Sequence, residues 1–229
     1  MLQAKDVLIA NISHELRTPL TGILGFSQEA AMERDLDEED LRMMAGVIAG
    51  EADELSRIVD DLITTARDKE DALALAIESV DPNTEMNAVQ IPAVIAGREI
   101  AVDLPAVSVR ADRLRLRQIL RNLVSNALKY GGPNVSLEGV VKGPRYFLSV
   151  IDDGDGVPAE IEDRLFSRFV HQGDAPLQTG SVGLGLSIAR RLAEIMDGAL
   201  SYSRSEGRTY FTLILPVAGG DATRSVRVA

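Results

Sequence analysis

The sequence predicts an α + α/β protein, with a helical hairpin over residues 1–70, an α/β domain over 76–217 and a disordered tail over 218–229. Three observations predict it. Apolar residues in the first third recur at helical and heptad spacing. Beyond Asp81, short β-rich runs alternate with helical ones. The charge divides in the same way: residues 1–75 carry 17 acidic and 7 basic side chains, and the remainder 18 and 17.

The first element runs from Leu2 to Ala30. Ile9, Ile12, Leu16, Leu20 and Ile23 share one helical face, and Pro19 is the place where a bend is expected. The acidic stretch Glu33 to Asp40 separates it from a second helix. There Leu41, Ile48, Leu55 and Leu62 repeat every seven residues, with Ala45, Ala52, Val59 and Ala66 four behind each. Two such helices joined by a short loop cannot bury both stripes alone, so a four-helix bundle built from two copies, a homodimer, is expected. The pattern dissolves between Asp68 and Asp81. After it, Ile100–Leu104, Val107–Arg110, Val135–Val141, Tyr146–Ile151 and Thr209–Leu215 read as strands.

Composition excludes several classes. The 229 residues contain no cysteine, so disulfide frameworks and thiolate metal sites are out. A net charge of -11 argues against nonspecific nucleic-acid binding. No run reaches the roughly 20 apolar residues of a membrane span and no signal-peptide order opens the chain. The cytoplasm is the expected compartment; an anchor would have to lie upstream of Met1, and no contact with a membrane is expected of this segment.

Ser13-His14-Glu15-Leu16-Arg17-Thr18-Pro19-Leu20 lies on the first helix. At about 100 degrees per residue, His14 points nearly opposite the Ile12/Leu16/Leu20 stripe and should face solvent. Thr18, one turn later, shares that face, and Glu15 adjoins it. A lone His-Glu pair would be an ordinary surface feature, but the whole run resembles the phosphoacceptor box of the sensor histidine kinases of two-component systems. The chemistry is suitable: a neutral imidazole is a competent nitrogen nucleophile, and a neighbouring carboxylate can hold its other ring N–H. The resemblance implies that His14 is the phosphoacceptor, that Glu15 supports its ring, and that Thr18 orients a water when a partner's phosphoaspartate is hydrolysed. The plainer role for Thr18 is a hydrogen bond to its own helix backbone ahead of Pro19.

Four further segments follow in the order seen in that family. On the helix Arg117 to Tyr130, Leu116, Ile119, Leu120, Leu123, Val124 and Ala127 form an apolar face, while Arg115, Asn122, Asn126 and Lys129 line the other. Two asparagines one turn apart are poor interior helix residues, and neutral oxygens suit a magnesium ion that takes its other ligands from water and phosphate. This run resembles the asparagine box, which implies Asn126 as the magnesium ligand, with Asn122, Lys129 and Tyr130 beside ATP. Asp152-Asp153-Gly154-Asp155-Gly156 taken alone is a tight turn. In this order it resembles the first glycine box, implying that Asp152 accepts from the adenine amino group while Gly154 and Gly156 admit the base; Asp153 stands where the family usually has asparagine. Gly180-Ser181-Val182-Gly183-Leu184-Gly185 opens a helix running to Met196 and resembles the second glycine box, a phosphate site at a helix N-terminus. Leu165-Phe166-Ser167-Arg168-Phe169 is similar to the phenylalanine box, with Arg168 beside the nucleotide and residues 170–182 as a lid. His171, in that lid, reads as an ordinary exposed residue.

The resemblance covers Asn11 to Leu215. It implies an α/β sandwich ATP-binding domain, ATP and Mg2+ as donor and cofactor, and a response regulator receiver domain as partner. Chaperone and gyrase ATPase clamps share the nucleotide fold but not the histidine-bearing hairpin. A catalytically silent nucleotide-binding dimerisation scaffold is the other alternative, disfavoured by the intact His14, Glu15, Asn126 and Asp152.

Overall fold

The computed structural model describes residues 2–32, 36–68, 74–95, 100–167 and 184–219, and the chain divides into two compact units, one built on residues 2–68 and the other on 74–166 with 186–219. The first holds two helices packed against each other, α1 (Leu2–Met32) and α2 (Glu38–Asp68). Helix α1 continues through Pro19. The acidic stretch is more than a separator: Asp37 caps α2, its Oδ1 accepting from the N–H groups of Glu39 and Asp40 at 2.9 Å each. Glu38, Glu39 and Asp40 then form the first turn, where negative charge suits the positive helix end.

Within this unit Met44 and Ile58 are buried, together with Arg57, Asp61 and Thr64. The predicted heptad rows are not what the hairpin covers. Leu41, Ala45, Ala52 and Val59 are exposed and Ile48, Leu55 and Leu62 half-buried; on α1, Leu20 and Leu24 are exposed. A lone hairpin therefore leaves an apolar face open. Among the described residues no helix is long and apolar enough to cross a membrane.

The second unit runs β1 (Ile77–Val80), α3 (Pro82–Ile95), β2 (Ile100–Asp103), β3 (Val109–Asp112), α4 (Arg113–Tyr130), β4 (Val135–Lys142), β5 (Arg145–Asp152), α5 (Ala159–Glu162), α6 (Gly185–Ile195), β6 (Ala199–Ser205) and β7 (Arg208–Pro216). Strands β1 and β3 form an antiparallel pair. The main sheet has the order β2-β4-β5-β7-β6, parallel between β2 and β4 and antiparallel elsewhere. Alternation decides its faces: Tyr146, Leu148 and Val150 of β5 and Phe211, Leu213 and Leu215 of β7 are buried. Helix α4 packs on β5 with Leu116, Ile119, Leu120, Leu123, Val124 and Ala127 buried, the face that periodicity marks. Helix α6 buries Ile188, Ala189, Leu192 and Ala193.

Three features position α4. Asp112 caps it, accepting from Arg115 N–H at 3.1 Å while its other oxygen accepts from Ala76 N–H at 2.8 Å. Glu85 of α3, fully buried, receives Arg113 at 2.9 Å and Arg117 at 3.0 and 2.8 Å, so α3 and α4 are braced by a charged fork. The helix stops at Gly131, whose N–H donates to Ala127 O at 3.0 Å.

Two strands and one long helix had no counterpart in the sequence reading: β1, β6 and α3. The strand read as Val107–Arg110 lies at Val109–Asp112. At the C-terminal end Ala218 N–H donates to Ser108 O at 2.8 Å, and the expected tail from 220 onward lies outside the described residues.

Candidate functional site

His14 is exposed on α1, as its position opposite the apolar stripe predicts, and Thr18 is exposed one turn later. The Thr18 hydroxyl donates to His14 O at 3.2 Å. That is the backbone bond available to a helical threonine, and a hydroxyl that donates once still has lone pairs with which to accept. The side chain of Glu15 lies outside the described residues.

In the second unit the C-terminal end of α4 and the turn after β5 meet. Asn126 is half-buried, and Lys129 and Tyr130 are exposed. Asn122 departs from the expected polar, open face. It is 2% exposed and belongs with the buried residues of α4, because it follows Gln118 by one turn on the edge that α4 turns inward.

Asp152 ends β5 and is buried. Its Oδ1 accepts from Gly154 N–H at 2.9 Å; among the described residues no donor is paired with Oδ2. The turn then passes close to the chain after α4: a Cβ on Gly154 would stand 2.7 Å from Gly132 N and 2.9 Å from Gly131 C, so only glycine permits this approach. Gly156 has φ +80, again a glycine conformation.

Asp153, the departure from the family's asparagine, has a defined place. It accepts from Asn134 N–H at 2.9 Å and Asn134 Nδ2 at 2.6 Å. These bonds, the side-chain one first, hold its carboxyl below the ordinary carboxylate range. Asn134 and Asp153 thus tie the loop after α4 to the acidic turn.

Phe166 packs beneath the guanidinium of Arg190 on α6, 5.2 Å from the ring centroid, with Leu165 at the edge of burial beside it. Leu184 is buried and Gly185 opens α6. Arg168, His171, Gly180, Ser181, Val182 and Gly183, with the whole expected lid, lie outside the described residues.

The donor set fits the groups that the resemblance implies. A buried carboxylate with one oxygen engaged and one open, beside backbone that a Cβ would block, suits a planar base carrying an amino group. Asn126 supplies one neutral oxygen, which suits a magnesium ion holding its remaining shell from water and phosphate. Among the described residues no cluster of three or more His, Asp or Glu offers an alternative cage.

A helical hairpin with an exposed histidine, followed by an α/β sandwich whose mixed sheet ends in an acidic glycine turn, defines a phosphoacceptor module joined to an ATP-binding module. Comparison with known proteins agrees. The family described as His Kinase A (phospho-acceptor) domain matches residues 4–71, and that described as histidine kinase-, DNA gyrase B-, and HSP90-like ATPase matches residues 111–219. The chain belongs to the sensor histidine kinases. It is 34% identical to the probable sensor histidine kinase TcrY of Mycobacterium tuberculosis over 92% of its own length and 46% of that protein's. Among solved structures it resembles the Acinetobacter baumannii histidine kinase AdeS (25% identity, TM-score 0.61, 90% of this chain and 98% of that one). It also resembles full-length ShkA in complex with AMPPNP (33% identity, TM-score 0.60, 93% of this chain and 46% of that one). The chain spans about half or less of the length of the first curated relatives it matches, 46% and 22%.

Sequence reasoning missed Asn134, Tyr202 and Arg204, which hold the acidic turn from outside it. The Asn134–Asp153 pair had one legible signal, an asparagine just after a Gly-Gly-Pro break.

Proposed function

We propose that this chain is the core of an ATP-dependent protein histidine kinase that phosphorylates His14 and passes the phosphoryl group to an aspartate of a response regulator receiver domain. The observation that carries this is the exposed His14 on α1 in the same chain as the glycine turn that presents a buried Asp152. Residues 1–70 act as the dimerisation and phosphoacceptor hairpin and 76–217 as the catalytic ATP-binding domain. The two copies form a homodimer, which covers the open row of Leu20, Leu24, Leu41 and Val59.

In this reading Asp152 Oδ2 accepts from the adenine amino group while Gly154 and Gly156 admit the ring. Asn122, Lys129 and Tyr130 stand beside the nucleotide, Asn126 gives its amide oxygen to Mg2+, and Arg168 with the Gly180–Gly185 segment takes the phosphates. Bound Mg2+ would neutralise phosphate charge. His14 attacks in line: the new N–P bond forms as the bond from the γ-phosphorus to its bridging oxygen breaks, and ADP leaves. Glu15 holds the second ring nitrogen and supports the charge that develops there. Transfer to the receiver aspartate regenerates the imidazole. With the ATP domain withdrawn, Thr18 holds the water that hydrolyses the receiver's phosphoaspartate.

The test uses labelled ATP. The wild-type chain should gain label that is acid-labile and alkali-stable, and His14→Gln should gain none while binding ADP as before. Stable label on that variant would overturn the acceptor assignment; a nucleotide-bound wild type that never labels would favour the silent scaffold.

A further inference from the structure

Strand β6 is a sheet edge whose side chains reach back over the acidic turn. Arg204 Nη1 donates to Gly154 O at 2.9 Å and to Thr209 Oγ1 at 3.2 Å. Thr209 is buried and stands opposite Asp152 in the β5–β7 pair. The guanidinium also lies along Gly156: a Cβ there would stand 2.9 Å from Arg204 Cζ. Two residues earlier on the same face, Tyr202 OH accepts from Val157 N–H at 3.3 Å, its ring held against Phe211 with centroids 5.4 Å apart. Three points of the turn, Gly154 C=O, Gly156 Cα and Val157 N–H, are therefore held from β6, while Asn134 holds Asp153 from α4's side.

We infer that Arg204 is a positioning residue for base recognition, fixing the glycine turn so that Asp152 presents Oδ2 at one angle. This rests on reading Asp152 as the adenine acceptor. Two glycines in three residues would otherwise leave the peptides on either side of Gly154 free to rotate, and glycine loses the most conformational freedom on ordering. Gly154 N–H is the group that fixes Asp152 Oδ1. The charge-assisted bond from Arg204 holds the next peptide of the same turn, so its loss loosens the residue whose N–H orients the carboxylate. A pre-ordered turn binds more tightly because the ordering is complete before the ligand arrives.

The experiment measures ADP and GDP dissociation constants by calorimetry, with Mg2+ present and below the melting temperature of each protein, for wild type, Arg204→Met, Arg204→Lys and Asp152→Asn. Arg204→Met keeps the aliphatic stem and removes the donor. It should weaken ADP binding roughly three- to tenfold and lower the ADP-over-GDP preference. The KM for ATP should rise in step while kcat at saturating ATP stays within about twofold of wild type, since Arg204 holds the turn that faces the base. Arg204→Lys should recover most of the affinity, because an ammonium on a similar stem can reach a carbonyl. ADP binding unchanged in Arg204→Met, with Asp152→Asn clearly weakened, would overturn the inference while leaving the site reading standing. A fall in kcat with an unchanged KM would overturn it as well. If Asp152→Asn itself binds ADP normally, the adenine reading fails and takes this inference with it.

Discussion

Asp152→Asn is the sharpest probe of the nucleotide site, because the structure dictates how the new amide must sit. Oδ1 accepts from Gly154 N–H at 2.9 Å, a bond inside a glycine turn that is also tied to Asn134 and Arg204. In the variant, the amide oxygen must keep that place, since a side-chain NH2 there would face a backbone N–H. The NH2 is then forced to the position of Oδ2 and points its hydrogens at the adenine amino group. One hydrogen bond to a charged acceptor is lost and two donors are opposed, which costs about 2 to 3 kcal/mol. At about 1.4 kcal/mol per tenfold, ADP affinity should fall roughly 30- to 150-fold. The fold should be little changed, because the bond to Gly154 survives. Guanine carries an acceptor oxygen where adenine carries its amino group, so the same NH2 can donate to it, and the ADP-over-GDP preference should collapse along with ADP affinity. Calorimetric titration with both nucleotides, beside a thermal melt, measures all three quantities. ADP affinity within about twofold of wild type in a normally folded variant would refute the assignment.

Three other outcomes are expected. Asn126→Asp places a carboxylate where a neutral amide oxygen stands, so autophosphorylation should become abnormal in its Mg2+ dependence; an unaltered Mg2+ titration would remove Asn126 from the metal site. Thr18→Ala removes the hydroxyl that donates to His14 O while leaving the imidazole exposed, and should retain substantial autophosphorylation but lose most phosphatase activity toward purified cognate regulator, whereas Glu15→Ala should impair the kinase; an unchanged ratio of the two activities in Thr18→Ala would leave that hydroxyl only its helix bond. Burial, and secondarily the charge of Asp81, push the Tyr146 phenol up to about 12. A folded-state pKa above the unfolded value of about 10 means that Tyr146's contribution is complete below pH 10 and is lost as pH climbs toward 12, by up to about 2 to 3 kcal/mol. Denaturant midpoints between pH 8 and 12 should therefore fall more steeply for wild type than for Tyr146→Phe, and parallel curves would contradict this.

Much of the protein was legible in its sequence because burial imposes a period. The apolar positions of α4 are those the fold buries, and His14 is exposed as expected, although in the stripe opposite it Leu16 is only half-buried and Leu20 is exposed too. Strands β4, β5 and β7 are long and flanked on both sides, so their alternation is clear. Strand β6 is an edge in which only Leu200 is fully buried, and the polar run Ser201 to Ser205 reads as a loop to any rule based on hydrophobicity. Helix α3 follows a start signal, Asp81 before Pro82, with Asp81 Oδ1 accepting from Asn83 N–H at 3.0 Å, but its apolar pattern is weak and the cap alone did not mark it.

By itself the sequence determined which residues could carry the chemistry: an exposed histidine ahead of a threonine and a proline, two asparagines a turn apart, and an aspartate before glycines. Such choices depend on residue type and spacing along one element, and these survive without knowledge of the fold. Tertiary structure alone decided how the acidic turn is held. Arg204 meets Gly154 across 50 residues, Asn134 meets Asp153 across 19, and Glu85 meets Arg117 across 32. It also drew Asn122 inward against the expectation of a polar face. Contacts between distant segments depend on sheet order and strand register, which leave no periodic trace in the chain; they exist only once the hydrophobic faces have set which elements lie side by side.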